Sequence, residues 1–117
     1  MACEPREFLA VARELHQGAQ NTEEAKLRSA ISRAYYAAFL YARDAACIAD
    51  LSSTVHALTR QHYSKIGEAK VALRLDSLRV SRNDADYEMA LSFNKIKSNH
   101  AIDIAQRVIE HIEKLQA

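Results

Sequence analysis

Residues 22–49 read TEEAKLRSAISRAYYAAFLYARDAACIA, with no Gly or Pro among them. Leu27, Ile31, Ala34, Ala38, Tyr41, Ala45 and Ile48 alternate steps of four and three, the spacing of one face of an α-helix. The spacing predicts a helix from Thr22 to about Ala49 that forms the spine of the fold. Ala37, Ala38, Ala45 and Ala46 let neighbours approach closely, while Tyr35, Tyr36, Phe39 and Leu40 cover the flanks, so helices should pack on more than one side.

Upstream, Pro5 suits a first helical turn, and Phe8, Ala12, Leu15 and Ala19 recur at helical spacing. Gly18 and the polar run Gln20, Asn21, Thr22 offer a stop, with Asn21 and Glu24 spaced as a capping pair for the spine. Downstream, Ser52 and Ser53 are candidate caps for a short third helix through Val55, Leu58, Tyr63 and Ile66, ended by Gly67. A fourth helix carries Val71, Leu75 and Leu78, and its next step of four falls on Arg82, so an apolar seam ends in a guanidinium. After a linker near Ser92, a last helix places Ala101, Ile104, Ala105, Val108, Ile112 and Leu115 inward. These elements predict an all-α single domain over residues 1–117: an up-and-down bundle of four main helices with the short third one appended.

Composition agrees. Two Gly and one Pro in 117 residues leave too few turn residues for a sandwich, barrel or propeller. No run approaches the ~18 apolar residues of a membrane span, so no membrane partner is expected. Sixteen basic against fifteen acidic residues give a net charge of +1, and no bulk field favours nucleic acid. Between Arg60 and Arg82, however, six cations face only Glu68 and Asp76, a local balance of +4. Cys3 and Cys47 are too few for a disulfide framework, Cys47 is expected as a buried inert thiol, and no secretory pattern opens the chain, which suits a reducing cytoplasm.

Spacing removes several chemistries. Gly18 and Gly67 cannot build a phosphate-cradling loop, which argues against P-loop and Rossmann sites. The five histidines include no i,i+4 pair and no Glu-x-x-His, which argues against zincin and di-iron centres, so neither metal nor cofactor is expected. What remains is Leu78-Arg79-Val80-Ser81-Arg82-Asn83-Asp84-Ala85-Asp86-Tyr87-Glu88. An Arg on an apolar seam is paired or faces a cleft, because an unpaired buried charge is costly. Two readings follow: a local Arg82–Asp86 bond one turn apart, or Arg82 as a phosphate or carboxylate ligand, its planar fork suiting either anion. A cross-helix bond from Asp44 to Arg82 is a further expectation.

Leu27 through Phe39 (LRSAISRAYYAAF) and Leu78 through Tyr87 (LRVSRNDADY) resemble the two signatures of the HEPN superfamily, in particular its small stand-alone bacterial proteins. The second signature lies, in that family, in the loop after the fourth helix. Thr54-Val55-His56 is similar to a Thr-His element of the family. The resemblance implies a homodimer in which the Arg-bearing segments of two subunits face one another across a cleft. It makes Arg82, Asn83, Asp86, Tyr87 and Arg79 candidates for binding RNA or a nucleotide, and Arg33, Tyr35 and Tyr36 architectural residues of the long-helix signature. Nucleolytic members cleave RNA without metal, using an Arg and a His a few positions on. Here Tyr87 replaces that His, and a phenol of pKa ~10 is a poor general base at neutral pH, leaving His56 or His62 as the non-motif candidates for a ribonuclease. The resemblance also implies a minimal nucleotidyltransferase as toxin–antitoxin partner, with Tyr87 the candidate acceptor of transferred nucleotides. The competing expectation is a catalytically silent module that binds such a partner through its bundle surface.

Overall fold

The computed structural model describes residues 3–49 and 52–117. Five helices follow in order: α1 (Pro5–Gly18), α2 (Glu24–Ala45), α3 (Val55–Lys65), α4 (Ala69–Tyr87) and α5 (Lys95–Gln116), with no strand among the described residues. α2 touches all four others, which makes it the spine. Its buried positions, among them Leu27, Ile31, Ala34, Ala38 and Ala42, follow the predicted seam. Ala30 and Ala37 are buried as well, because α1, α4 and α5 surround it on several sides. The extents of 41 × 27 × 25 Å are those of a helical bundle elongated along its spine.

Local chemistry sets the ends. The Glu7 carboxylate accepts from the Glu4 N–H at 2.7 Å, tying off the first turn of α1 behind Pro5. Gly67 closes α3 with φ +84°, the left-handed conformation that glycine adopts without a Cβ penalty, and the Glu68 N–H returns to the Tyr63 carbonyl at 2.8 Å.

Five expectations change. The spine stops at Ala45 instead of running to Ala49, because Cys47 turns left-handed at φ +56° and the Ile48 N–H bonds back to the Arg43 carbonyl at 3.1 Å. Cys47 is therefore exposed beyond the helix, not a buried thiol within it. Asn21 does not cap α2. Its side chain accepts from the Lys95 N–H at 3.0 Å, sharing the first turn of α5 with Asn94, which accepts from the Lys97 N–H at 3.1 Å. Residues 78–87 are not a loop, since α4 runs unbroken to Tyr87. On α5 the buried set includes Ser98, Ile102 and Ile109, while Ile104 is half-buried and Leu115 exposed, so the inward face is rotated slightly from the predicted one.

Candidate functional site

Val71, Leu75 and Leu78 of α4 are fully buried, and Arg82 continues their stripe toward α2. The core stops there because α2 presents aromatic rings instead of alkyl groups. The Arg82 guanidinium carbon lies 5.2 Å from the Tyr35 ring centroid and 5.6 Å from that of Tyr36, a cation held against two π faces. Its side chain is 17% exposed, and Asp86 one turn on approaches Nη1 only to 3.7 Å, outside hydrogen-bond distance. The Asp86 carboxylate takes its hydrogen bond from Ser32 instead, at 3.3 Å.

Among the described residues, Arg82 Nε is the one sealed side-chain nitrogen or oxygen without a hydrogen-bond partner. The terminal nitrogens are not sealed, and they too make no hydrogen bond among the described residues. The internal pairing with Asp86 thus exists as a loose ion pair that leaves most of the fork unused. Asp44 does not reach Arg82. It is held by the neighbouring Arg43, whose Nη2 donates to it at 3.0 Å.

A chain of polar groups braces the rings. The hydroxyl of buried Tyr35 lies 2.8 Å from His56 Nδ1, and His56 Nε2 lies 3.5 Å from Asp76, which Arg60 also grips. The His56 ring further stacks near Tyr35 and Phe39, with centroids 5.8 and 5.7 Å apart. With Nε2–H directed to Asp76, Nδ1 is left to accept the phenol proton. Burial pushes Tyr35 up to about 12, with Arg82 and Arg79 acting against the rise, so the phenol stays neutral. Burial also lowers His56, Asp76 pulling it part of the way back and Arg79 and Arg60 opposing that pull, which keeps the imidazole neutral as an acceptor.

The site residues divide accordingly. Arg82, Asp86, Tyr35 and Tyr36 come together, and exposed Arg79 adds its field to Tyr35 and His56. Half-buried Asn83 follows Arg82 on α4. Tyr87, the last residue of α4, is 70% exposed and stands about 140° round the helix from Arg82, so it faces solvent apart from the cluster. Arg33 is exposed over Phe8, 5.9 Å from its centroid, on another side of the spine. His56 is buried with both ring nitrogens engaged, and His62 packs edge-on against Tyr63.

Arg28 is the functional neighbour that the sequence reading passed over. Buried on α2, it donates to the carbonyls of Asp84, Ala85, Glu88 and Leu91 at 3.3, 3.0, 3.1 and 2.5 Å, and covers the Phe93 ring at 4.4 Å. These bonds give the Ala85 and Leu91 carbonyls a partner, add a second donor to those of Asp84 and Glu88, and fix the helix that carries Arg82. A signal was available: Arg28, Ile31, Tyr35, Ala38 and Ala42 alternate three and four, so Arg28 heads an apolar seam as Arg82 ends one.

No helix among the described residues is long and apolar enough to cross a membrane, and none of their acidic, His or Cys side chains cluster as a metal site. No family model, curated protein or solved structure matches the chain.

Proposed function

We propose that the protein is a dimeric HEPN-type helical protein that binds RNA or a nucleotide through Arg82, as a component of a toxin–antitoxin or defence system working with a nucleotidyltransferase partner. The observation that carries this reading is the state of the Arg82 fork: held against two tyrosine rings, without a hydrogen bond, 3.7 Å from its nearest carboxylate. A guanidinium so placed is pre-oriented, and a phosphate oxygen supplies the acceptors that Asp86 does not. Arg79 on the adjoining surface strengthens the positive field there.

The same helix supports pairing with a second copy. Leu73, Val80 and Tyr87 fall seven residues apart on α4 and are 63%, 61% and 70% exposed, an apolar stripe left uncovered by the described residues. Asn83 and Arg79 stand on the flank between this stripe and Arg82, which lies about 140–180° round α4 from the stripe, so pairing along the stripe does not by itself bring two Arg82 clusters together. Exposed Tyr87 is accessible to a modifying partner.

The stripe equally favours the second reading, a silent module that presents α4 to a nucleotidyltransferase. Cleavage has less support, since His56 lacks a free ring nitrogen and Tyr35 stays protonated. Equilibrium binding of single-stranded RNA and of nucleotides to wild type and Arg82→Ala separates these readings. Loss of at least tenfold in affinity in the variant supports the Arg82 site. Equal affinity, or no binding by either protein, removes Arg82 from function and leaves the interaction module.

A further inference from the structure

A second cationic groove lies between α4 and α5, away from the Arg82 cluster. Arg107, His111 and Lys114 follow at steps of four and three, so they share one face of α5, and Arg74 of α4 faces them across a cavity of about 450 Å³. That volume lies within the roughly 300–1,000 Å³ of small-molecule sites. Arg74 precedes Arg82 by eight residues, about 12 Å along the helix axis and about 80° round it, so the two guanidiniums open on different surfaces.

The charges in this groove are unequally partnered. His111 Nε2 is fixed by Glu68 at 2.8 Å, and Arg107 meets Asp103 at 3.2 Å in a pair of two well-exposed side chains, a weak and exchangeable contact. Glu110 is the opposing charge in the lining, and Gln106 donates to it at 2.6 Å. Among the described residues, neither Arg74 nor the Lys114 ammonium has a carboxylate partner, so both charges are free to meet an anion in the groove. The lining therefore carries an excess of positive charge on opposite walls of a cavity.

We infer that this groove binds a diphosphate group. Arg74 on one helix and Arg107 on the other can each offer a planar fork to one phosphoryl, and with the Lys114 ammonium they make three cations in one lining, a charge that suits the several negative charges of a diphosphate better than those of a single phosphate. Its source is either free pyrophosphate or a nucleotide, and the two are told apart by comparison.

Calorimetric titration of the full chain with pyrophosphate, ADP and orthophosphate, in magnesium-free buffer, tests this. The expected result is one site per chain that prefers pyrophosphate to orthophosphate at least tenfold. Arg74→Ala and Lys114→Ala each weaken it about tenfold with unchanged circular dichroism, and Arg82→Ala leaves it as in wild type. ADP binding as tightly as pyrophosphate assigns recognition to the diphosphate alone, whereas tighter ADP binding, still dependent on Arg74, adds the nucleoside. Absence of binding, no preference over orthophosphate, or insensitivity to Arg74 and Lys114 overturns the inference. Because Arg82→Ala is scored separately, failure here is distinguishable from failure of the Arg82 reading.

Discussion

Arg28 and Arg82 both interrupt apolar seams, and their surroundings give them different work. Arg28 meets four backbone carbonyls and an aromatic face, so its donors are satisfied within the chain. Arg82 meets two rings and a distant carboxylate. Removing Arg28 strands carbonyls at the α4 terminus. Arg28→Ala is expected to cost about 3 kcal/mol or more, lowering the melting temperature by about 10 °C, and Arg28→Lys is expected to restore little, because an ammonium cannot reach the carbonyls as a fork does. Arg82→Ala gives up two cation–π contacts worth about 0.5–1 kcal/mol each while relieving a stranded Nε–H, so its melting temperature is expected to fall less. Thermal unfolding of the three variants compares them directly.

His56 supplies a pH dependence at the same scale. Its folded-state pKa is lowered by burial from the ordinary value of 6.5, so the unfolded chain binds more protons than the folded one at pH values just below 6.5. Stability therefore rises with pH through the window between the lowered value and 6.5, and falls on acidification. His16, lowered by burial and by nearby Lys95, contributes with the same sign. Melting temperatures between pH 7.5 and 5.5 should decline in wild type and decline less steeply in His56→Gln, which keeps a polar side chain but cannot titrate.

Among the elements, α2 ends at a residue unsuited to the conformation it adopts. Cys47 takes the left-handed position that glycine fills at Gly67, and the conformation costs an L-residue roughly 1 kcal/mol. Cys47→Gly is expected to stabilise the fold by about 0.5–1 kcal/mol, read as a rise of a few degrees in thermal unfolding, since the Cys47 side chain is exposed and gives up little packing.

The same elements mark how far the chain could be read. Strictly periodic seams such as Val71, Leu75, Leu78 announced both the helices and the anomaly at Arg82, because a helix face repeats locally. Contacts between segments distant in sequence were not legible. Asn21 carries a capping side chain, but it serves α5, 74 residues later, because the two helix ends are brought side by side. Arg28 stands in a quoted motif, yet its role depends on carbonyls 56 to 63 residues away. The stop at Ala45 was masked because Cys47 is a weak breaker by type, and its conformation comes from the hydrogen bonds that close the helix.

At the scale of the whole molecule, five helices bury one core and leave an apolar stripe on the solvent side of α4, about 140–180° round the helix from the unused guanidinium. If that stripe joins two copies, adding charge to it separates them. Leu73→Glu combined with Val80→Glu is expected to convert a dimer into a monomer of unchanged helicity, measured by light scattering after size-exclusion chromatography. A wild-type monomer at all concentrations tested, or a dimer indifferent to both changes, places the stripe outside self-association.

The central claim is that the Arg82 fork is held open for an anion from outside its own turn. NMR of the arginine side chains, with Arg82 assigned by comparison with Arg82→Ala, tests it most directly as RNA or a nucleotide is added. The expected result is movement of the Arg82 guanidinium resonances that saturates with binding, while those of Arg28 stay in place. Binding that leaves the Arg82 resonances unmoved contradicts the claim and confines this side chain to the scaffold.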